Sequence, residues 1–186
     1  FANLLLTNAK RDIENTFKRA WNIRGVKDDN YSETRLPEVP SAIIETMSHQ
    51  NFGDMRLGQD PNFKFTLARS IYKSILRYSA QMHETEYVVQ PLAPNNFRIE
   101  FITKNKIRLK WNAVGDPLEP SAKPTSYNVY TATGTSGFDN GTNINGTTFE
   151  LKLEPGVIYN FRVTACNQGG ESFPTEVLSA LNQSDS

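Results

Sequence analysis

The chain has 186 residues, enough for one large or two small domains, with 20 basic residues balanced by 20 acidic ones. That balance removes the electrostatic footprint of a nucleic-acid binder, and no apolar run approaches the ~18 residues of a membrane span. A single cysteine, Cys166, excludes an intrachain disulfide.

The opening segment, FANLLLTNAKRD, has neither an initiator Met nor the basic start and cleavage site of a signal peptide. Phe1 is therefore expected to lie inside a longer polypeptide. Phe1, Leu5, Ala9, Ile13, Phe17 and Ala20/Trp21 fall at helical spacing and predict a first helix. Residues 31–36 are read as a strand. The run SAIIETM, residues 41–47, is short, isoleucine-rich and not alternating, which is the pattern of a strand covered on both faces. Asp60 followed by Pro61 suits an N-cap and first helical position. From there Leu67, Ala68, Ile71, Ile75 and Tyr78 form a stripe predicting a second helix to about Gln81. Helix, strand, strand, helix is the order of a piece of an α/β sheet.

From Glu84 the grammar changes. Residues 84–91 read as a linker between a first region, 1–83, and a second, 92–183, with a tail at 184–186. In the second region apolar residues alternate: Phe97, Ile99 and Phe101; Ile107, Leu109 and Trp111; Tyr127 and Val129; Phe149, Leu151 and Leu153; Tyr159, Phe161, Val163 and Ala165. Turn-rich stretches such as GDPLEPSAKP, GFDNGTNING and NQGGESFP separate them. About seven short strands in ~90 residues predict an all-β sandwich.

IRLKWNAV, PTSYNVY and LKLEPGVIYNFRVTACNQGGES carry a resemblance to fibronectin type III domains. The resemblance implies that Trp111 is the core tryptophan of the second strand. It also implies that Tyr159 bonds its hydroxyl back to the backbone at a tyrosine corner. The fold implies a spacer or binding module without naming a partner. Trp111, Tyr127 and Tyr159 are read as core packing, and Tyr130, on the opposite face, as a candidate contact. The sequons at Asn140 and Asn145 read as Asn-Gly turns, and that at Asn182 as a frayed terminus. There is no Arg-Gly-Asp loop. Cys166 alternates away from the core face and is assigned no chemistry.

In the first region, a buried strand ending in Glu45 would deliver a carboxylate to a sheet edge, where ligands of open α/β sheets gather. Apolar surroundings would disfavour its charged form, as suits a general base. The structural alternative is a glutamate paired with Arg24 or Arg56. Residues 24–27 (RGVK), residues 40–45 (PSAIIE), Asn51, Asp60 with Pro61, and Ala68 together resemble the C-terminal part of zinc-dependent N-acetylmuramoyl-L-alanine amidases of type 3. The resemblance implies that Glu45 is the catalytic base, activating a zinc-bound water against the amide between muramic acid and L-alanine of peptidoglycan. The family's Gly-Phe pair after the glutamate is replaced here by Met47 and Ser48. SHQN, residues 48–51, is similar to a divergent subfamily found in exported bacterial proteins, some labelled xanthan lyase. His49 and Asn51 are candidates for the substrate rim.

The resemblance places the zinc ligands, two His and a Glu, upstream of this chain. His49 and His83 are its only histidines, and no ligand is assigned within it. The expected fold class is therefore an incomplete amidase-like α/β fragment followed by a fibronectin type III sandwich. The implied whole is an exported cell-wall hydrolase, at the periplasm, cell surface or outside, with this part alone inactive. Its partners would be peptidoglycan or another glycan, and either the missing upstream segment or a second copy covering the exposed strand. The alternatives are a non-catalytic glycan- or protein-binding surface protein, or a polysaccharide-degrading protein of the xanthan lyase type.

Overall fold

The computed structural model describes residues 1–182, so residue 183 and the expected tail lie outside the described residues. The chain divides into two compact units, with the boundary between Tyr87 and Val88.

The first unit is helical. It holds α1 (Ala2–Phe17), α2 (Ser32–Arg35), α3 (Phe52–Gly58) and α4 (Pro61–His83). Helix α4 starts as its sequence dictates. The Asp60 carboxylate accepts from the Asn62 N–H at 2.8 Å, and Pro61 takes the first helical position, where an N–H has no partner to lose. Asp60→Ala is expected to lower the stability of this unit by ~1 kcal/mol, measured by urea unfolding, with Asp60→Ser close to wild type. Helix α1 packs along α4 and buries Leu5 and Ile13. At one end Phe63 lies between Phe17 and Trp21, with ring centroids 5.9 and 5.5 Å away.

Two expectations for this unit are corrected. Residues 31–36 are not a strand. Ser32-Glu33-Thr34-Arg35 closes a helical turn, with its acid in the first turn and its base in the last, where each suits the helix dipole. Residues 41–47 are not a buried strand either. They have no ladder partner, and Ile43 and Ile44 are 48% and 40% exposed. A strand covered on both faces needs neighbours on both edges, and no described segment of the unit supplies one. The expected α/β fragment is therefore helical among the described residues. Helix α4 is present as expected, and Leu67, Ile71 and Tyr78 of its apolar stripe are only half-buried. It buries Phe63, Ser70, Lys73, Ser74 and Ala80, while Ile75 is exposed.

The buried row of α4 is polar because α1 presents polar groups to it. The Lys73 ammonium lies 2.6 Å from Asp12 Oδ2, although the contact is an ion pair without hydrogen-bond alignment. Asn8 Nδ2 donates to Ser74 Oγ at 2.9 Å, and Ser74 donates to the Ser70 carbonyl at 2.8 Å. Arg77 donates to Asn8 Oδ1 at 3.0 Å and to the Tyr87 hydroxyl at 2.7 Å.

The second unit is a two-sheet sandwich. Strands β1 (Asn95–Thr103), β2 (Lys106–Asn112) and β5 (Thr148–Lys152) form one antiparallel sheet in the order β1-β2-β5. The other runs β4 (Thr142–Ile144), β3 (Ser126–Thr133), β6 (Ile158–Asn167) and β7 (Gly170–Glu171), with β8 (Leu178–Leu181) also paired to β6. Period-two alternation sends Ile107, Leu109 and Trp111 inward from β2, against Val129 of β3 and Phe161, Val163 and Ala165 of β6. Val88–Pro91 belong to this unit. Val89 is fully buried, its N–H donates to Ser121 Oγ, and its carbonyl accepts from Asn167 Nδ2 at 2.9 Å. Position 169 must be glycine, since a Cβ there would lie 2.2 Å from the Val88 carbonyl oxygen.

Candidate functional site

Glu45 sits on the irregular segment before α3, exposed to solvent. The apolar enclosure expected around it is not present, and neither Arg24 nor Arg56 pairs with it among the described residues. His49 lies exposed in the turn that follows. Asn51 has a structural task that the sequence reading missed. It is the N-cap of α3, its side chain accepting from the Asp54 N–H at 3.2 Å. Asp54 in turn accepts from the Ser48 N–H at 2.9 Å, which fixes the 48–51 turn. An Asn followed three residues later by an acid, ahead of a helical run, is the signal that could have revealed the cap. No hydrogen bond joins Glu45, His49 and Asn51 to one another, and His83 ends α4 in solvent.

No group of three or more His, Cys, Asp or Glu that could hold a metal ion occurs among the described residues. The donor set that zinc requires does not fit these residues, so no chemical step is assigned to zinc within this chain. Two depressions lie among the described residues, one in each unit. One of about 370 Å³ lies by Arg77, Gln81 and Tyr87 in the helical unit. One of about 380 Å³ is lined by Ala113, Asp116, Pro120 and Lys123 in the sandwich. No helix is long and apolar enough to cross a membrane among the described residues.

In the sandwich, Trp111 is buried, edge-on to Phe97 and Tyr127 with centroids 6.4 and 5.5 Å away. Burial pushes the Tyr127 hydroxyl pKa up. The Tyr159 hydroxyl accepts from the Glu154 N–H at 3.4 Å, and its ring stacks on Phe161. Asn182 is buried, not frayed, and its amide donates to the Leu153 carbonyl at 3.2 Å. Asn140 and Asn145 are exposed. Gly141 follows Asn140 at φ +79°, and a Cβ there would strike the Tyr130 ring at 2.9 Å.

Tyr130 belongs to the outer face of the larger sheet. Its hydroxyl donates to Glu171 at 2.5 Å, and Thr164 donates to the same carboxylate oxygen. Burial alone would raise the Glu171 pKa, but the bonds from Thr164 and Tyr130 hold it below its ordinary value. The Arg162 guanidinium lies 4.3 Å from the Phe138 ring centroid and 5.1 Å from that of Tyr130. Asn143 donates to Asn128 at 2.7 Å. Cys166 is half-buried on this face, and burial pushes its thiol pKa up.

A sandwich of these two sheets, with a buried tryptophan on β2 and a tyrosine corner at the start of β6, defines a module of the fibronectin type III class. Residues 92–180 match the fibronectin type III domain family, and this part of the chain is such a domain. Roundabout homolog 1 of Mus musculus is 32% identical over 169 residues, covering 82% of this chain and 10% of the relative. The Rattus norvegicus protein of the same name matches equally. The chain thus spans about a tenth of the length of these curated relatives. Among solved structures, the twitchin kinase region from C. elegans is 23% identical with a TM-score of 0.45, covering 50% of this chain and 17% of that one. Titin kinase with its flanking domains is 22% identical with a TM-score of 0.43, covering 52% of this chain and 18% of that one.

Proposed function

We propose that the fibronectin type III domain is the binding or spacer module of an exported, multidomain protein of the cell envelope. The observation that carries this reading is a sandwich with a buried core and mainly polar outward rows.

Within the same reading, the helical unit is the C-terminal part of an amidase-like hydrolase of peptidoglycan. The run of residues from Arg24 to Tyr78 supports it, as does the exposed apolar segment at Val39, Ile43 and Ile44. Such a segment suits an apolar surface covered by an upstream piece or a second copy of the chain. Glu45 is then the base, His49 and Asn51 lie at the substrate rim, and the zinc ligands come from residues outside this sequence. The second reading is a non-catalytic protein that binds glycan or protein, or a polysaccharide-degrading protein of the xanthan lyase type. The exposure of Glu45 favours the non-catalytic form.

The test is a version extended upstream through the whole hydrolase region, assayed for bound zinc and for stem-peptide release from purified peptidoglycan. On the amidase reading Glu45→Ala keeps the metal and slows turnover by ~10²–10⁴-fold. A folded protein with neither zinc nor turnover leaves only the binding role.

A further inference from the structure

The outer face of the β1-β2-β5 sheet concentrates positive charge that the chain as a whole does not have. Register aligns its outward residues into three rows: Arg98, Lys110 and Thr148; Glu100, Arg108 and Glu150; Thr103, Lys106 and Lys152. Five cations therefore share this grid with two carboxylates, in a chain whose net charge is zero. The outer face of the other sheet is different in kind. Ser126, Asn128, Tyr130, Asn143 and Thr164 are neutral there, and Arg162 is balanced by Glu171.

The two glutamates sit in the middle row and hold the cations in place. Glu100 contacts Arg98 at 3.3 Å and Lys110 at 2.8 Å. Glu150 contacts Lys106 and Arg108, each at 2.5 Å. Each carboxylate is shared by two cations, so positive charge remains in excess above the sheet. These contacts engage Arg98, Lys106, Arg108 and Lys110, while Lys152 lies beside Lys106 in the same row. Strand geometry makes the grid roughly 10 Å across and 14 Å along the strands.

We propose that this face docks an acidic polysaccharide, a linear polymer carrying regularly spaced carboxylates, laid across the three strands. Charge complementarity selects an anionic partner, and cations arrayed over three rows suit a polymer lying across them. The grid has no aromatic side chain, so it offers no stacking platform for the bases of a single-stranded nucleic acid. The proposal rests on the binding-module part of the reading above and is independent of the amidase part.

The experiment is affinity electrophoresis of the full chain in native gels containing polygalacturonate, with neutral dextran as control, across a salt series. Retardation by polygalacturonate alone, weakening with salt, is expected. A triple variant, Lys106→Gln with Lys110→Gln and Lys152→Gln, should bind about tenfold or more weakly. A charge-matched variant, Lys27→Gln with Lys64→Gln and Lys123→Gln, should bind as wild type. Circular dichroism of both variants checks that the fold is kept. Equal loss in the two variants would reduce the effect to net charge and overturn the site. Tighter binding to duplex DNA, polyphosphate or phosphatidylglycerol vesicles through the same lysines would overturn the partner class. Binding to dextran or peptidoglycan that the triple variant retains would keep a binding role while removing it from this face. No binding to any of these polymers would overturn this site and leave protein contact or spacing as the role of the module.

Discussion

Lys73→Ala lowers the stability of the helical unit by about 3–5 kcal/mol, because it strands a buried carboxylate. Lys73 and Asp12 are each only 2% exposed, and their charged atoms lie 2.6 Å apart. Alanine deletes the cation and leaves Asp12 desolvated. Arg11 still reaches the other carboxylate oxygen at 2.8 Å, which keeps the loss toward the lower end of that range. The companion variant separates the worth of the pair from the penalty of breaking it. Asp12→Leu combined with Lys73→Met replaces both charges with apolar groups, and a neutral change or a gain of ~1–4 kcal/mol is expected. Urea unfolding followed by helical circular dichroism measures both. A loss below ~1 kcal/mol for Lys73→Ala would mean that water reaches the site and that the pair is not buried in solution. The function of the pair is then register: sliding α1 along α4 by one turn would separate Asp12 from Lys73 and Asn8 from Ser74 together.

That pair also explains where the sequence misleads. Counting apolar residues at helical spacing finds α1 and α4, and Asp60-Pro61 marks where α4 begins. It cannot tell which stripe of α4 meets α1, because the answer depends on Asn8 and Asp12 of another helix. Hence Ser70, Lys73 and Ser74 are buried while Ile75 is not. SAIIETM fails for a related reason. An apolar run becomes a strand only if other segments complete its hydrogen bonds, and those are not local information. The sandwich was far more legible. Its alternation is local, and Trp111, Tyr127 and Tyr159 all point where period two sends them. The cationic grid was not legible at all. Arg98, Lys110 and Lys152 are far apart in the chain, and only strand register makes them neighbours. Glu45 shows the converse: its residue type and motif are plain in the sequence, but the enclosure that would tune it is a property of neighbours.

Trp111→Ala destabilises the fibronectin type III domain by about 3–5 kcal/mol, through lost burial and the cavity left behind. The indole is 2% exposed and lies between Phe97 and Tyr127, both packed against it edge to face. These neighbours come from β1 and β3, in different sheets, so the cavity opens at the seam of the sandwich where neither sheet can close it alone. The indole N–H is buried and has no hydrogen-bond partner among the described residues. Trp111→Phe therefore removes part of the packing and an unpaired donor at once, and a net loss under ~2 kcal/mol is expected. Thermal unfolding followed by near-ultraviolet circular dichroism orders the three proteins. If Phe proved as damaging as Ala, shape at the seam would outweigh both burial and the unpaired N–H. A small loss for Phe beside a large one for Ala would show that the position demands a large aromatic group and makes no use of the indole nitrogen.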